Sequence, residues 1–287
     1  MPGINFDPAS AYYDKTRGYP PGVAEAIRDA ILNKLQPGSN SSTRFLELGV
    51  GTGRIAQPFI QAGYDYVGVD LSLAMMGQLR QKFAGKSVTH NNHCQLLQAD
   101  ITCLPFKEAS FDVAITVHVL HLVANWQKAL REAHRVLRKP GGYLFIGKDS
   151  PASDISQMAT TLTVKKWDAI LEDLGVNLDS RLPGLKDSAP NWDETVEVFL
   201  QQLGAKTERV NLVEYTTASL SPRMLAQGHI ERIYSSDWRI PADIHAAASK
   251  RLQAWLDTEC PEPDRAFSIS NTFRTIVAKW KLLLIGL

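Results

Sequence analysis

Three glycines on alternate positions, Gly49, Gly51 and Gly53, follow a short apolar run in the segment FLELGVGTGRIA, residues 45–56. Glycine between a strand and a helix permits a positive φ angle, or the close approach of a ligand that a Cβ atom would block. A dinucleotide-binding turn reads GxGxxG, and here Arg54 stands at the position of its third glycine. A P-loop is excluded more firmly, because neither GKS nor GKT follows the glycines. The turn is therefore predicted to bind a cofactor, with a nicotinamide dinucleotide disfavoured but still open.

Three carboxylates are placed at the ends of successive apolar runs. Glu47 is near the end of the first run, Asp70 ends the second in YVGVD, and Asp100 ends the third in QLLQAD. If the runs are parallel strands, their carboxyl ends open into one crevice, so these side chains should line a single ligand site. Asp70 could accept hydrogen bonds from both hydroxyls of a ribose, whereas Glu47 would repel a pyrophosphate and attract a cationic amino group or a sulfonium. The carboxylates predict an adenosine ligand with a positively charged amino-acid tail.

The three carboxylates can share one site only if their strands end side by side in a sheet. Up to residue 150 the chain shows the alternation of strands and helices that such a sheet requires. The spacing of apolar residues predicts helices at 20–37, 54–62, 72–83 and 126–137. Apolar and β-branched runs predict strands at 44–49, 66–70, 94–100, 111–117 and 143–149. Strands that alternate with helices through short loops are typical of a parallel sheet covered on both faces.

The alternation breaks after residue 150. Long helices are predicted at 151–175 and 192–203, then a strand at 206–217, a helix at 241–259 and a closing strand at 271–285. The final two strands could form an antiparallel edge of the sheet. We therefore expect a cofactor-binding core at 1–150, a helical insertion at 151–204, and a C-terminal part of the core with extra helices at 205–287.

The ordered motifs resemble those of the class I S-adenosylmethionine-dependent methyltransferases, especially the small-molecule, type 11 branch similar to ubiquinone- and menaquinone-biosynthesis enzymes. ELGVGTGR is similar to the first motif, GVDLS to the ribose-binding acid and QADITCLPF to the adenine-contacting acid. FDVAITVHVLHLV and REAHRVLRKPGGYL are similar to the later motifs, so the resemblance covers roughly residues 5–149 in order. It implies a doubly wound, mostly parallel seven-stranded, Rossmann-like sheet with a reversed last strand. It also implies S-adenosyl-L-methionine as cofactor and a direct in-line methyl transfer.

The resemblance also implies the residues that contact the cofactor. They are expected to be Glu47, Gly49, Gly51, Gly53, Asp70, Leu71, Met75, Asp100, Ile101, Val117, Tyr13 and Arg17. In similar enzymes an N-terminal segment closes over the cofactor, so Tyr13 could stack near the sulfonium and Arg17 could pair with the methionyl carboxylate. A docking helix with a solvated arginine is an equally supported interpretation. Leu71 and Met75 could instead be ordinary core residues.

Two histidines, His118 and His121, follow the fourth predicted strand at the mouth of the crevice. Either could act as a general base, because a histidine titrates near neutral pH, and His118 is the preferred candidate for a catalytic role. Histidines that only complete a strand end are the alternative. His90 and His93 lie in a polar segment without companion ligands, so no metal site is expected.

Composition narrows the partners. The chain has 31 basic and 30 acidic residues, a formal net charge of +1, so nucleic acid is not expected as a partner. Three scattered cysteines and the lack of a long apolar segment predict a cytoplasmic protein without a membrane span. Four tryptophans in the later part of the chain could form a roof over an apolar or aromatic acceptor, or pack in a small second core: Trp167, Trp192, Trp238 and Trp255.

The function expected from the sequence is methyl transfer from S-adenosylmethionine to a small molecule. Two alternatives stay open at this point: a non-catalytic protein that senses S-adenosylmethionine or uses it in assembly, and a nicotinamide-dependent oxidoreductase. The motifs do not identify the accepting atom.

Overall fold

The structure is a computed structural model that describes residues 4–35, 43–84, 94–151, 155–185, 191–217 and 220–280. His90 and His93 lie outside the described residues, as does the part of the predicted closing strand after residue 280. Within the described ranges, no helix has the length and apolar character needed to cross a membrane.

The described strands form a seven-stranded sheet in the order β3-β2-β1-β4-β5-β7-β6. The strands are β1 (Arg44–Leu48), β2 (Asp65–Asp70), β3 (Cys94–Gln98), β4 (Val113–Val117), β5 (Tyr143–Pro151), β6 (Ala205–Thr216) and β7 (Ser270–Trp280). Strands β1 to β5 pair in parallel, whereas the last strands are antiparallel. This confirms the predicted doubly wound, mostly parallel sheet.

Helices connect and cover these strands. They are α1 (Tyr13–Arg17), α2 (Val23–Lys34), α3 (Ala56–Gln61), α4 (Leu73–Phe83), α5 (Trp126–Val136), α6 (Ile155–Asp173), α7 (Trp192–Gln202), α8 (Pro222–Ile230) and α9 (Ala242–Thr258). Every residue of β4 is buried, as expected for a central parallel strand with both faces covered. The predicted strands and helices up to residue 150 are confirmed with small differences at their ends.

The strand order sets the position of the ligand crevice. The chain runs from β1 through β2 to β3 on one side, then returns to β4 on the other side of β1. Glu47 of β1 is paired with Gly68 of β2 and with Ile115 of β4, so it occupies the centre of the sheet. At such a switch point the loops after two neighbouring strands diverge, and ligands of open α/β sheets bind in the space between them.

Contacts divide the chain into two units. The first unit contains Met1–Asp149, Gly184–Val213 and Phe273–Leu287, and the second contains Ser150–Pro183 and Glu214–Thr272. Helix α7, predicted within the insertion, belongs to the first unit, because Trp192, Val196 and Leu200 lie in the core of that unit.

The second unit has its own core, in which α6, α8 and α9 pack together. Trp167 and Trp255 belong to this core. For these two tryptophans the structure favours packing in a small second core over a roof above an acceptor. Helix α8 was not predicted from the sequence. Its N-terminus nevertheless has the residues that commonly begin a helix. Ser221 caps it by accepting a hydrogen bond from Met224 N, and Pro222 occupies the first turn.

Candidate active site

The glycine turn after β1 has the backbone that its sequence predicts. Gly49, Gly51 and Gly53 have φ angles of +77°, +53° and +79°, which favour glycine over any residue with a side chain. A Cβ on Gly53 would lie 2.2 Å from Leu79 Cδ1, so this glycine is required for the packing of α4. A Cβ on Gly51 would contact only the end of Met75, at 3.4 Å. The approach to the backbone is therefore least obstructed at Gly51.

Asp70 fixes this turn to the start of α4. Its Oδ2 accepts a hydrogen bond from Gly51 N at 2.8 Å, and its Oδ1 accepts one from Ser72 N at 2.9 Å. Burial raises the pKa of Asp70 from its ordinary value, while the donated backbone N–H groups act in the opposite direction. Two accepted hydrogen bonds leave about two of the four lone-pair positions of a carboxylate for a ligand.

A cavity opens at the carboxyl ends of the central strands. It brings together most of the predicted site residues: Tyr13, Gly49, Gly51, Asp70, Leu71, Met75, Asp100, Ile101, Val117 and His118. Asp100 is oriented by Thr102 N, which donates to its Oδ1 at 2.8 Å. Glu47, Gly53 and Arg17 were also predicted and lie outside this lining.

Several other residues of the lining were not predicted from the sequence. They are Ile4, Phe6, Ala99, Thr102, Val119, Leu122, Val123, Ala124 and Asn125. Most of these residues belong to loops and to the N-terminal segment, and Leu122 ends a short 3-10 helix (Leu120–Leu122). Asn125 is the residue whose position could have been inferred from the sequence, because asparagine is favoured at the N-cap of a helix. It caps α5 by accepting a hydrogen bond from Lys128 N.

Glu47 differs from the expectation that it presents a charge to the ligand. Its side chain is 3% exposed, and Tyr66 donates its hydroxyl hydrogen to Glu47 Oε2 at 2.8 Å. Burial raises the pKa of Glu47 to about 8, although Tyr66 and Arg54 act in the opposite direction. At neutral pH the acid is therefore mostly protonated, and its attraction for a cationic group is weaker than the sequence suggested.

The N-terminal segment is attached to the glycine turn and to α4 through side-chain carboxylates. Asp7 Oδ1 accepts hydrogen bonds from Ser72 Oγ at 2.5 Å and from Ala74 N at 3.3 Å. Asp14 accepts a hydrogen bond from Thr52 Oγ1 at 2.5 Å and pairs with Lys82 at 2.7 Å. These contacts hold Tyr13, on α1, within the cavity lining.

Arg54 makes a further attachment with its guanidinium. Its Nη1 donates to Arg17 O at 2.8 Å, and its guanidinium lies over the Tyr19 ring at 4.3 Å. Arg17 was predicted to pair with the methionyl carboxylate through its side chain. In this contact with Arg54 it takes part through its carbonyl oxygen. Arg54, which stands at the position of the third glycine of a dinucleotide turn, therefore helps to hold the N-terminal segment in place.

His118 differs from His121 in its relation to the cavity. His118 belongs to the lining and its Nε2 lies 2.8 Å from Asp149 Oδ2, at the end of β5. His121 lies outside the lining, and its carbonyl oxygen accepts a hydrogen bond from Gly184 N at 3.0 Å. The geometry therefore favours His118 over His121 as a residue that meets an acceptor.

The described residues contain no cluster of three or more histidine, cysteine, aspartate or glutamate side chains that could hold a metal ion. The polar groups of the cavity are backbone amides and the side chains of two aspartates, a tyrosine, a histidine, a threonine and an asparagine. Together with the apolar walls, this set suits an organic ligand that has several hydrogen-bond donors and a flat apolar part.

Known proteins are similar to this chain in sequence and in fold. The pattern of a family described as a methyltransferase domain matches residues 46–146. The demethylmenaquinone methyltransferase of Clavibacter sepedonicus is 30% identical over 212 residues, which cover 72% of this chain and 83% of that protein.

A second relative is much longer. The hybrid PKS-NRPs synthetase opdA of Penicillium oxalicum is 25% identical over 293 residues, covering 87% of this chain but 7% of the synthetase. Among solved structures, the YcgJ protein of Bacillus subtilis has a TM-score of 0.56 and 15% identity, with 90% of this chain and 98% of that chain covered. This last similarity concerns the fold.

Proposed function

The chain belongs to the class I S-adenosylmethionine-dependent methyltransferases, and from this premise we propose that it transfers the methyl group directly to a small organic acceptor. S-adenosyl-L-methionine is the cofactor of the family. When bound, it supplies a methyl group already activated on a sulfonium. The work left to the protein is to bind and orient both reactants.

The residues of the cavity fit an adenosine ligand. The backbone at Gly51 is open, Asp70 has spare lone pairs for ribose hydroxyls, and Asp100 stands at the end of the neighbouring strand. Leu71, Met75, Ile101 and Val117 supply apolar surface for the base. We assign these residues, and Gly49 in the same turn, to cofactor binding. We assign Glu47, buried in β1, and Gly53, packed against α4, to the stabilisation of the turn.

One observation carries the proposal of a small acceptor: His118 and several apolar side chains share a cavity with Asp70 and Gly51. Phe6, Tyr13 and Leu122 are among these apolar and aromatic side chains. A cavity with such walls favours an apolar or aromatic molecule. The near-zero net charge of the chain gives no support to a nucleic-acid acceptor.

The Clavibacter sepedonicus relative supports the same class of acceptor. Its name gives demethylmenaquinone, a small organic molecule, as the compound that it methylates. We propose a molecule of comparable chemistry for this chain, without a commitment to the same compound.

In this proposal the protein accelerates the reaction mainly by alignment. The cavity holds the accepting atom in line with the methyl carbon and the sulfur, and orientation of this kind supplies on the order of 7–11 kcal/mol. The apolar walls exclude water, which would otherwise compete for the accepting atom.

Two measurements test the proposal. The purified chain is incubated with S-adenosylmethionine and either an ultrafiltered small-molecule extract, total RNA or a protein extract, and S-adenosylhomocysteine is quantified. Formation of product with the small-molecule extract alone supports the proposal, whereas product with RNA or protein alone contradicts it. Transfer from a chiral methyl group should then proceed with inversion, because retention would require a methylated enzyme intermediate.

A further inference from the structure

We propose that Gly184 is a positioning residue of the cofactor cavity, because the close contact of its backbone with the loop after β4 sets the position of the wall that Leu122 and Val123 form. The inference rests on the proposed function, since it takes this cavity as the site of S-adenosylmethionine. Gly184 begins the second stretch of the first unit, and Leu122 and Val123 line the cavity. Gly184 lies outside the lining, so it acts on the site through this loop.

The loop is held by backbone hydrogen bonds from two distant segments of the chain. Three successive carbonyl oxygens of the short 3-10 helix at Leu120–Leu122 accept hydrogen bonds from outside the loop. The donors are Leu185 N to Leu120 O at 3.2 Å, Gly184 N to His121 O at 3.0 Å, and Ile4 N to Leu122 O at 3.4 Å. A 3-10 helix of this length has few hydrogen bonds of its own, so its position depends on these donors.

The contact at Gly184 leaves no room for a side chain. A Cβ there would lie 2.1 Å from Leu120 O, 2.6 Å from Val123 O and 2.8 Å from the carbonyl carbon of His121. All three are backbone atoms, so a change of rotamer cannot relieve the overlap. The φ angle of Gly184 is not positive, so glycine is needed here for the close approach and not for its backbone conformation. A larger residue at this position must therefore displace the loop.

The loop packs with the part of the cavity that we assign to the base of the cofactor. Leu120 and Val123 are buried in one apolar cluster with Ile101, which follows β3 and lines the cavity. Leu122 and Leu185 pack against the same cluster. Leu185 therefore holds the segment of Gly184 on one side, and a displaced loop moves the apolar surface beside Ile101.

The same loop also packs on the glycine turn after β1. A Cβ on Gly49 would lie 2.5 Å from Val119 Cγ2, so the loop and the turn are in close contact. Gly49 and Val119 both line the cavity. Packed interiors contain few voids that could absorb a displacement, so a shift of the loop also reaches the turn. We therefore expect the affinity for the cofactor to depend on Gly184, although this residue does not line the cavity.

The test compares alanine variants of the full chain by their affinity for S-adenosylhomocysteine. Gly184→Ala should raise the dissociation constant at least about tenfold, because apolar contacts of the displaced wall with the ligand are lost. Isothermal titration calorimetry measures this change at a temperature at which circular dichroism shows the variant to be folded. A purely structural role would lower the urea midpoint of Gly184→Ala and leave the dissociation constant of the folded protein unchanged.

Two other glycines provide matched controls, and neither has a positive φ angle. A Cβ on Gly142 would lie 2.4 Å from Arg138 O, again a backbone atom, but Gly142 precedes β5 and so lies at the end of the sheet opposite the cavity. Gly142→Ala should lower the urea midpoint and keep the wild-type affinity. Gly77→Ala controls for the substitution itself, because a Cβ on Gly77 would meet nothing within 4 Å.

Methyl spectra of protein labelled with ¹³C at leucine and valine report on the wall directly. Leu122→Ile and Val123→Ile identify the two sets of resonances. Both sets should shift in Gly184→Ala and keep their positions in Gly142→Ala. The inference is overturned by unshifted resonances or unchanged affinity in Gly184→Ala, or by an equal loss of affinity in Gly142→Ala.

If Gly184→Ala does not fold, hydrogen exchange in the wild-type protein decides. S-adenosylhomocysteine should slow exchange at the amides of Gly184 and Leu185 more than at the amide of Gly142, which donates to Arg138 O at the other end of the sheet. Equal slowing at these amides, or none, overturns the inference. Failure of the wild-type protein to bind S-adenosylhomocysteine would contradict the proposed function, while the methyl spectra would still judge the position of the wall.

Discussion

Asp70 Oδ2 lies 2.8 Å from the backbone nitrogen of Gly51, so the acid at the end of β2 holds the glycine turn that follows β1. The same carboxylate accepts a hydrogen bond from Ser72 N, and Ser72 in turn caps α4. In the proposed function, Asp70 therefore binds the ribose and also shapes the turn that lies against the rest of the cofactor. A change at this position acts on binding in two ways.

We expect Asp70→Asn to weaken the binding of S-adenosylhomocysteine by about 1.5–3 kcal/mol, the usual contribution of hydrogen bonds to a charged group. Isothermal titration calorimetry measures this change directly. Asp65→Asn is the matched control, because Asp65 lies at the opposite end of β2 and pairs with Arg44 at 3.2 Å, away from the cavity. Unchanged affinity in Asp70→Asn would remove Asp70 from the cofactor site.

Glu47 should make the protein less stable at alkaline pH. Its pKa is raised by burial from an ordinary value of 4.5 to about 8 in the folded chain. A raised pKa means that the stabilising contribution of the protonated acid is complete below pH 4.5 and is lost as the pH rises through about 8. Between about pH 6 and about pH 9 this loss is about 2–3 kcal/mol.

Glu47→Gln should remove this part of the pH dependence, because the amide oxygen can still accept from Tyr66 but the side chain does not ionise. Urea unfolding of the wild-type and variant proteins across this pH range measures the difference. Glu208→Gln, at an exposed side chain paired with Lys34, should keep the wild-type pH dependence. Parallel curves for wild type and Glu47→Gln would contradict the assignment of a buried, protonated acid.

The sequence predicted the part of the site that depends on strand ends. Asp70 and Asp100 end apolar runs, and a parallel sheet necessarily brings such ends to one edge. The alternate glycines identified the turn because positive φ angles favour glycine. His118 was preferred to His121 from its place after β4, and the structure puts it in the cavity lining.

Other features depend on contacts between distant parts of the chain. Asp149 contacts His118, which is 31 residues away in the sequence, and Asp7 contacts Ser72, which is 65 residues away. Neither pair belongs to a sequence motif with a fixed spacing. The protonation of Glu47 follows from its burial beside Tyr66, which the sequence does not show. The unit to which α7 belongs is likewise decided by tertiary contacts, which the sequence does not show.

Gly53 should tolerate alanine less well than Gly63 does. Both have strongly positive φ angles, +79° and +83°, so the backbone strain of the two substitutions is similar. A Cβ on Gly53 would lie 2.2 Å from Leu79 Cδ1, whereas a Cβ on Gly63 would meet nothing within 4 Å. We expect Gly53→Ala to destabilise the fold by about 1–3 kcal/mol more than Gly63→Ala, the usual cost of overpacking. Equal urea midpoints and slopes for the two variants would show that Leu79 does not require this glycine.

Asp237 should be the most sensitive acid of the second unit. Its side chain is fully buried, Trp167 Nε1 donates to Oδ1 at 3.0 Å, and His229 Nδ1 lies 2.8 Å from Oδ2. Arg181 Nη1 lies 3.7 Å from Oδ1. Asp237→Ala leaves these buried polar groups without their acceptor, so we expect a loss of about 3–5 kcal/mol in the free energy of unfolding.

Urea unfolding followed by tryptophan fluorescence is suited to this test, because Trp167 stacks on His229 in the same cluster with ring centroids 5.1 Å apart. Asp257→Ala is the control within the same unit. Asp257 pairs with Arg223 on the surface, and exposed ion pairs contribute little to stability, so this variant should unfold close to the wild type. If Asp237→Ala unfolds at the same urea concentration as Asp257→Ala, the buried cluster does not stabilise the second unit, and its stability must come from the apolar contacts of α6, α8 and α9 instead.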